Sequence, residues 1–273
     1  MSAASTATTT AEPEPVAIDP GDPRYAFGVD VGGSGVKGGI VDLTTGTLVG
    51  DRHKIKTPQP ATPKAVATTV AAIVEHFSWT GRVGITLPSV VVDGVVRTAA
   101  NIDKGWIGTD AYALFGEHVS AEGFTVLNDA DAAGLAEARY GGQVDDVEGV
   151  VIMLTLGTGI GSAILFDGGR LLPNTELGHL QVGDAIAEER ASARVKEDND
   201  WSYARWAKEL SRVLAEYEKL FSPKLFILGG GISRKSHKWL PLLTNSTPAA
   251  PATLRNTAGI VGAAMAAQAG LRP

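Results

Sequence analysis

The chain has 273 residues, 44% of them apolar, with 33 glycines and no cysteine. That length accommodates two domains of ordinary size, and the missing cysteines exclude disulfides and thiolate-bound zinc. A formal charge of −6 argues against non-specific binding to nucleic acid or membrane, and no apolar run reaches the ~18 residues that a membrane span needs.

Residues 1–24 are rich in Ala, Thr and Pro and lack the basic start and apolar middle of a secretory signal. They read as a disordered tail on a cytoplasmic protein. Three strands are predicted next, over 25–31, 35–42 and 47–56. Pro58, Pro60 and Pro63 break the chain before a helix over 63–77, where Val66, Val70 and Ile73 recur at helical spacing. A buried strand over 82–87, a hairpin over 89–97 turning at Asp93-Gly94, a helix over 110–119 and a strand over 124–128 follow. A helix then starts at Asn128-Asp129 and ends at Gly141-Gly142.

The second half repeats the scheme, with strands near 149–156, 160–166 and 169–172. A long amphipathic helix over 202–221 carries Trp206, Leu210, Val213, Leu214, Tyr217 and Phe221 on one face. A strand over 224–229 opens onto Gly229-Gly230-Gly231, and an Ala- and Gly-rich helix over 257–269 closes the chain. The repetition predicts a small α/β domain over 25–127 and a larger one over 128–273, with a cleft between them and the last helix packing back on the small domain.

Two segments carry the repeat most plainly: FGVDVGGSGVKGGIVD at 27–42 and IMLTLGTGIGSAILFD at 152–167. Each is a strand, a tight Gly-rich turn and a second strand. Glycines there permit positive φ and leave backbone N–H groups open to an anion. A phosphate chain between the turns would touch Asp30, Gly32, Gly33, Ser34, Gly35 and Lys37 on one side. Thr155, Gly157, Thr158 and Gly159 would face it from the other, with Gly229, Gly230 and Gly231 beyond.

Asp30 at the end of the first strand is either a turn-stabilising carboxylate or a water-mediated ligand of Mg²⁺ beside phosphate. Lys37 either offsets phosphate charge or points to solvent. Asp129 stands at a strand-to-helix junction, where it serves as an N-cap or as a base facing the cleft. Glu176 and His179, three apart in TELGH, would share one face of a helical turn. With Asn101 they suit the adjacent hydroxyls of a polyol, against a metal site or a structural role.

Five motifs in this order are DVGGSGVK from Asp30, NDAD from Asn128, LGTGIGS from Leu156, ELGH from Glu176 and GGGIS from Gly229. Together they resemble the ROK family of sugar kinases and repressors, whose fold is actin/hexokinase-like (ribonuclease H-like), with duplicated α/β domains and an interdomain cleft. A narrower set is TPQPATP from Thr57, TAANIDKGWIGTD from Thr98, LTLGTGIGSA from Leu154 and LRNTAGIVGAA from Leu254. These resemble the actinobacterial members of the family that use polyphosphate to phosphorylate glucose, some of them also mannose.

The resemblance implies phosphoryl transfer to the 6-hydroxyl of glucose, and of mannose, from polyphosphate and ATP with Mg²⁺ as cofactor. It implies Asp129 as base, a sugar site of Asn101, Asn128, Asp129, Glu176, His179 and Glu188, and a homodimer. Glu188 enters because EERAS at 188–192 resembles the end of the family's zinc-binding segment. The cysteines of that segment are missing from VGDAIAE at 182–188, so no zinc is expected. A strictly ATP-dependent hexose kinase is the first alternative. A sugar-sensing repressor is the second; it needs a helix-turn-helix, and only 24 residues precede the first strand. Arg234, Lys235, Lys238 and Arg255 are candidates for a polyphosphate track, with Arg190, Arg194 and Lys196 as a second basic cluster.

Overall fold

The computed structural model describes residues 18–100, 102–144 and 147–273. Asn101 and residues 1–17 of the expected tail therefore lie outside the described residues. Residues 18–24 depart from the tail reading. They form turns, with Asp22 N–H donating to Asp19 O, and Ile18 packs on the first core.

The first half contains β1 (Tyr25–Gly32), β2 (Gly35–Asp42), β3 (Thr47–Leu48), β4 (His53–Ile55), α1 (Pro63–His76) and β5 (Val83–Leu87). After the short hairpin of β6 (Val91–Val92) and β7 (Val95–Val96) come α2 (Ala111–His118) and β8 (Phe124–Asn128). The sheet order is β3-β2-β1-β5-β8, with β4 also on β2. β1 is antiparallel to β2 and parallel to β5, and β5 is parallel to β8. The single strand expected over 47–56 is split, because the chain turns at Gly50 with φ +75° and rejoins β2 further along.

Local chemistry accounts for these elements. Thr62 caps α1 by accepting from Ala65 N–H at 3.4 Å, and Pro63 opens the helix with a preset φ. Asp93 and Gly94, at φ +51° and +78°, make the two-residue turn between β6 and β7.

The second half begins with α3 (Asp129–Tyr140), then β9 (Val151–Leu156), β10 (Ile160–Phe166) and β11 (Arg170–Leu172). A helical turn, Leu177–His179, leads to β12 (Gln181–Val182), β13 (Ala185–Ile186), α4 (Ala187–Ala191) and α5 (Ala193–Asp198). The chain ends with α6 (Tyr203–Phe221), β14 (Leu225–Gly229), β15 (Ala249–Pro251) and α7 (Ala258–Gln268). This sheet runs β11-β10-β9-β14-β15, so it repeats the motif of an antiparallel hairpin with a parallel strand added beside its first member.

Helices α3 and α7 lie between the two sheets. α3 packs on β10, α7 packs on β1 and β5, and the two helices pack on each other. The approach is close enough to exclude side chains. A Cβ at Gly84 would lie 1.8 Å from Ala263 O, and one at Gly262 would lie 1.7 Å from Ala132 O. The Ala- and Gly-rich composition of α7 follows from burial between two layers rather than from exposure.

Candidate active site

The carboxyl ends of β1, β5 and β8 face the β9–β10 turn across a cleft, the end of the sheet where open α/β folds place their ligands. The cleft encloses about 430 Å³. Gly33, Asn128 and Asp129 line it from the first sheet's side, and Thr155, Gly157, Thr158, Gly159, Glu176, His179, Glu188 and Gly230 from the other.

Asp129 opens α3, but the capping is done by its neighbour. Asn128 Oδ1 accepts from Ala130 N–H at 2.8 Å and from Asp131 N–H at 3.2 Å. Asn128 Nδ2 donates to Ser89 O at 3.3 Å, so its amide is held in both directions. The Asp129 carboxylate, accepting from Ala130 N–H at 2.9 Å, lines the cleft. Burial, and then the negative charge of Asp30, push it up to about 7, with the Ala130 N–H pulling the other way.

Asp30 is fixed on all sides. Its Oδ2 accepts from Lys37 Nζ at 3.0 Å and its Oδ1 from Thr86 Oγ1 at 3.2 Å. The first turn of α7 abuts it: a Cβ at Gly259 would lie 3.1 Å from the Asp30 carboxyl carbon. Lys37 thus points neither to solvent nor into the cleft, but onto Asp30. Thr86, also accepting from Val31 N–H at 3.2 Å, was missed in the sequence; its signal is a lone hydroxyl inside the buried strand VGITL.

Glu176 and His179 flank the helical turn as their spacing predicts. His179 Nδ1 lies 4.0 Å from Glu176 Oε2, and its Nε2 lies 3.8 Å from Glu188 Oε1. Burial raises the Glu176 carboxyl, and His179 offsets part of that. Ser162 Oγ shapes this loop by donating to Thr175 O at 2.7 Å and accepting from Leu177 N–H at 2.9 Å. Glu188, on α4, accepts from Ile160 N–H at 3.3 Å, and Gly159 makes room for it: a Cβ there would fall 2.3 Å from Glu188 Oε2. A carboxylate of the protein therefore occupies that edge of the second turn.

Arg190 holds α4 in place. Its Nε donates to Val182 O at 3.0 Å, its Nη1 to Glu209 Oε2 at 2.9 Å, and its Nη2 reaches Asp184. Burial opposes ionisation of Glu209, but the Arg190 hydrogen bond and the charge of Arg212 outweigh it and keep the carboxyl below its usual range. The β12–β13 hairpin forms the cysteine-free segment that stands where the family's zinc-binding segment would, and the Arg190 contacts tie it to Glu209 on α6.

Asp131 and Asn174 were also missed. Asp131 is fully buried, and its Oδ2 accepts from Asn174 N–H at 2.7 Å. Asn174, at φ +59°, donates through Nδ2 to Val91 O at 2.7 Å and accepts from Val91 N–H at 3.0 Å. This strap ties the loop before Glu176 to the β6–β7 hairpin of the first half. Burial pushes Asp131 up to about 7. The available signal was its position three residues after the capping Asn128, which turns it inward.

Not every predicted phosphate residue reaches the cleft. Gly32 lines a smaller adjoining cavity of about 280 Å³, and Gly231 lines another beyond Thr158. Ser34 is exposed at the tip of its turn and lines none of these cavities. Gly35 is buried in β2, where its missing side chain admits Lys54, whose Cε would lie 2.3 Å from a Cβ. Gly229 closes β14 against Met153 and Ala252. Gly230 meets the cleft at φ +85°, with Leu156 O 2.2 Å from where a Cβ would stand. Asn101 lies outside the described residues.

Among the described residues no group of three or more His, Asp or Glu could hold a metal by itself. Mg²⁺ needs less, because it keeps several waters and is shared with substrate phosphates. The Asp30 carboxylate stands beside the first turn with its oxygens already bonded to Lys37 and Thr86, so it fits an ion held through water and not one bound directly.

The family model described as "ROK family" matches residues 26–198. The chain belongs to the ROK family. Among its relatives, a polyphosphate glucokinase of Mycobacterium tuberculosis is 61% identical over 246 residues, covering 90% of this chain and 92% of the relative. The structure of an inorganic polyphosphate/ATP-glucomannokinase from Arthrobacter sp. strain KM is 49% identical, with a TM-score of 0.85, covering 90% of this chain and 99% of that one. A ROK family glucokinase from Streptomyces griseus, solved with glucose and AMPPNP, is 27% identical with a TM-score of 0.71, over 90% and 100% of the two chains. The actin/hexokinase-like fold of these ROK kinases is the fold of this chain. No helix among the described residues is long and apolar enough to cross a membrane.

Proposed function

We propose that this ROK protein phosphorylates the 6-hydroxyl of glucose, and of mannose, with inorganic polyphosphate and ATP as donors. One observation carries the reading: an Asp with its pKa raised to about 7 lies in a cleft between two Gly-rich turns and a Glu–His–Glu group. Similarity to a polyphosphate glucokinase and to a polyphosphate/ATP-glucomannokinase supports the choice of acceptor and donors.

Asp129 takes the proton of the 6-hydroxyl as that oxygen attacks the terminal phosphorus; the leaving group is the shortened polyphosphate or ADP. A base near pH 7 is ionised enough to act and basic enough to accept the proton. Glu176, His179 and Glu188 bind the ring hydroxyls, with Asn101 and Asn128 completing the sugar site. Gly33, Thr158 and Gly159 offer backbone N–H groups to the phosphates, and Thr155 and Thr158 offer hydroxyls, the Gly157 N–H being donated to Gly159 O. Asp30 would hold Mg²⁺, which when bound would supply charge neutralisation on the transferring group. Residues 25–127 and 128–273 close on the sugar and exclude water from the acceptor.

The test is a set of initial rates with glucose and mannose, each against ATP and long-chain polyphosphate. The expected result is the 6-phosphate in all four reactions. Activity with ATP alone would reduce the reading to an ATP-dependent hexose kinase, and no product in any reaction would overturn it.

A further inference from the structure

Two basic clusters distant in the sequence meet around one aromatic ring. Lys196 Nζ, on α5, lies 4.5 Å from the centroid of the Tyr203 ring, and Lys238 Nζ lies 5.9 Å from the same centroid. Among the described residues neither ammonium has a carboxylate within salt-bridge distance. This is so although Glu197, Asp198 and Asp200 are close in the chain. Two like charges beside one ring repel, and the ring offsets that only weakly at a partly exposed site. An anion in contact with both ammoniums would relieve that repulsion.

The elements bearing these lysines both start at the donor side of the cleft. A second cavity of about 430 Å³ shares Gly157 and Thr158 with the cleft and is bordered by Arg194, Gly231 and Ile232. Arg194 N–H donates to Gly157 O at 3.1 Å, so α5 leaves directly from the second Gly-rich turn toward Lys196. The 3₁₀ segment Gly231–Lys238 leaves the same cavity and ends at the other lysine. This segment is two 3₁₀ turns joined at a kink at Lys235. Glu197 and Asp198 also border the cavity and oppose an anion there. Asp198 is already paired with Arg194 at 3.3 Å, an exposed and readily exchanged contact.

We infer that Lys196, Tyr203 and Lys238 form a distal subsite for the tail of an inorganic polyphosphate chain whose reacting end lies at the two Gly-rich turns. The subsite engages the part of an extended polyanion that follows the phosphates held at the two turns. Arg234, Lys235 and Arg255, the other cations expected to form the track, line neither the cleft nor this cavity. The inference rests on the polyphosphate reading above.

The experiment compares the wild type with the double variant Lys196→Gln/Lys238→Gln, measuring KM for long-chain polyphosphate, tripolyphosphate and ATP over a range of salt concentrations. The expected result is a rise of about tenfold in KM for long-chain polyphosphate and a shallower salt dependence, as two phosphate contacts are lost. KM for tripolyphosphate and ATP should stay within about twofold, since neither donor reaches the pair. An unchanged KM for the long chain, or equal rises for all three donors, would overturn the subsite while leaving the donor reading intact. A wild type active with ATP but inactive with polyphosphate would overturn the donor reading and the subsite together.

Discussion

Asp30 and Asp129 stand at the carboxyl ends of β1 and β8, two parallel strands separated in the sheet only by β5. Lys37, Thr86 and the first turn of α7 fix Asp30, so its charge has a set position. That charge is second only to burial in raising Asp129.

The first prediction concerns pH. A base must be ionised, and Asp129 binds its proton up to about pH 7. Thus kcat/KM for glucose should fall as pH drops through about 7, about tenfold per unit below it. Asp30→Asn removes the neighbouring charge and should move the acid limb to lower pH. A pH–rate profile flat across this range, or a limb unmoved in Asp30→Asn, would contradict the electrostatic coupling.

Asp131 gives a stability prediction of definite sign. Its folded pKa is raised from 3.8 to about 7, so the native state holds the proton more tightly than the unfolded chain. The stability this contributes is present below pH ~4 and is lost as pH rises through ~7. Asp131→Asn, which cannot titrate, should therefore lose less stability than the wild type between about pH 5 and pH 8. The difference should be on the order of a few kcal/mol. Parallel melting curves at the two pH values measure it; identical pH slopes would contradict it.

Much of the fold was legible because its signals are local. The α1 and α6 stripes, the Asp93-Gly94 turn and the two strand–turn–strand copies each fit within a window of about 20 residues. Helices α4 and α5 were not legible: at five and six residues they carry no stripe and are held by Arg190 and by the Arg194–Gly157 contact. The site divides in the same way. Asp129, Glu176, His179 and Glu188 sit in motifs. Asp131, Asn174 and Thr86 act through partners 43, 83 and 56 residues away, and no local pattern encodes such a separation. Lys37 was ambiguous by strand alternation, and Gly35 and Gly229 serve packing between neighbouring elements.

The Arg190–Glu209 pair links stability to the proposed sugar site. Glu209 is 2% exposed and shares its carboxylate with Arg190 and Arg212. Glu209→Gln leaves Arg190 without its buried counter-charge, which should cost about 3 kcal/mol in stability. α4 should loosen with it, raising KM for glucose more than it lowers kcat. Thermal melting and steady-state kinetics check both effects, and an unchanged melting temperature would show that the pair does not anchor α4.

The most direct test of the account is the rate of glucose 6-phosphate formation from long-chain polyphosphate by wild type and Asp129→Asn, with glucose binding measured on both. The substitution keeps the shape of the side chain and its contact with Ala130 N–H but removes the base. The kcat of the variant should be lower by about 10²-fold or more, with glucose still bound. A variant that binds glucose and keeps more than about a tenth of the wild-type kcat would contradict the role assigned to Asp129.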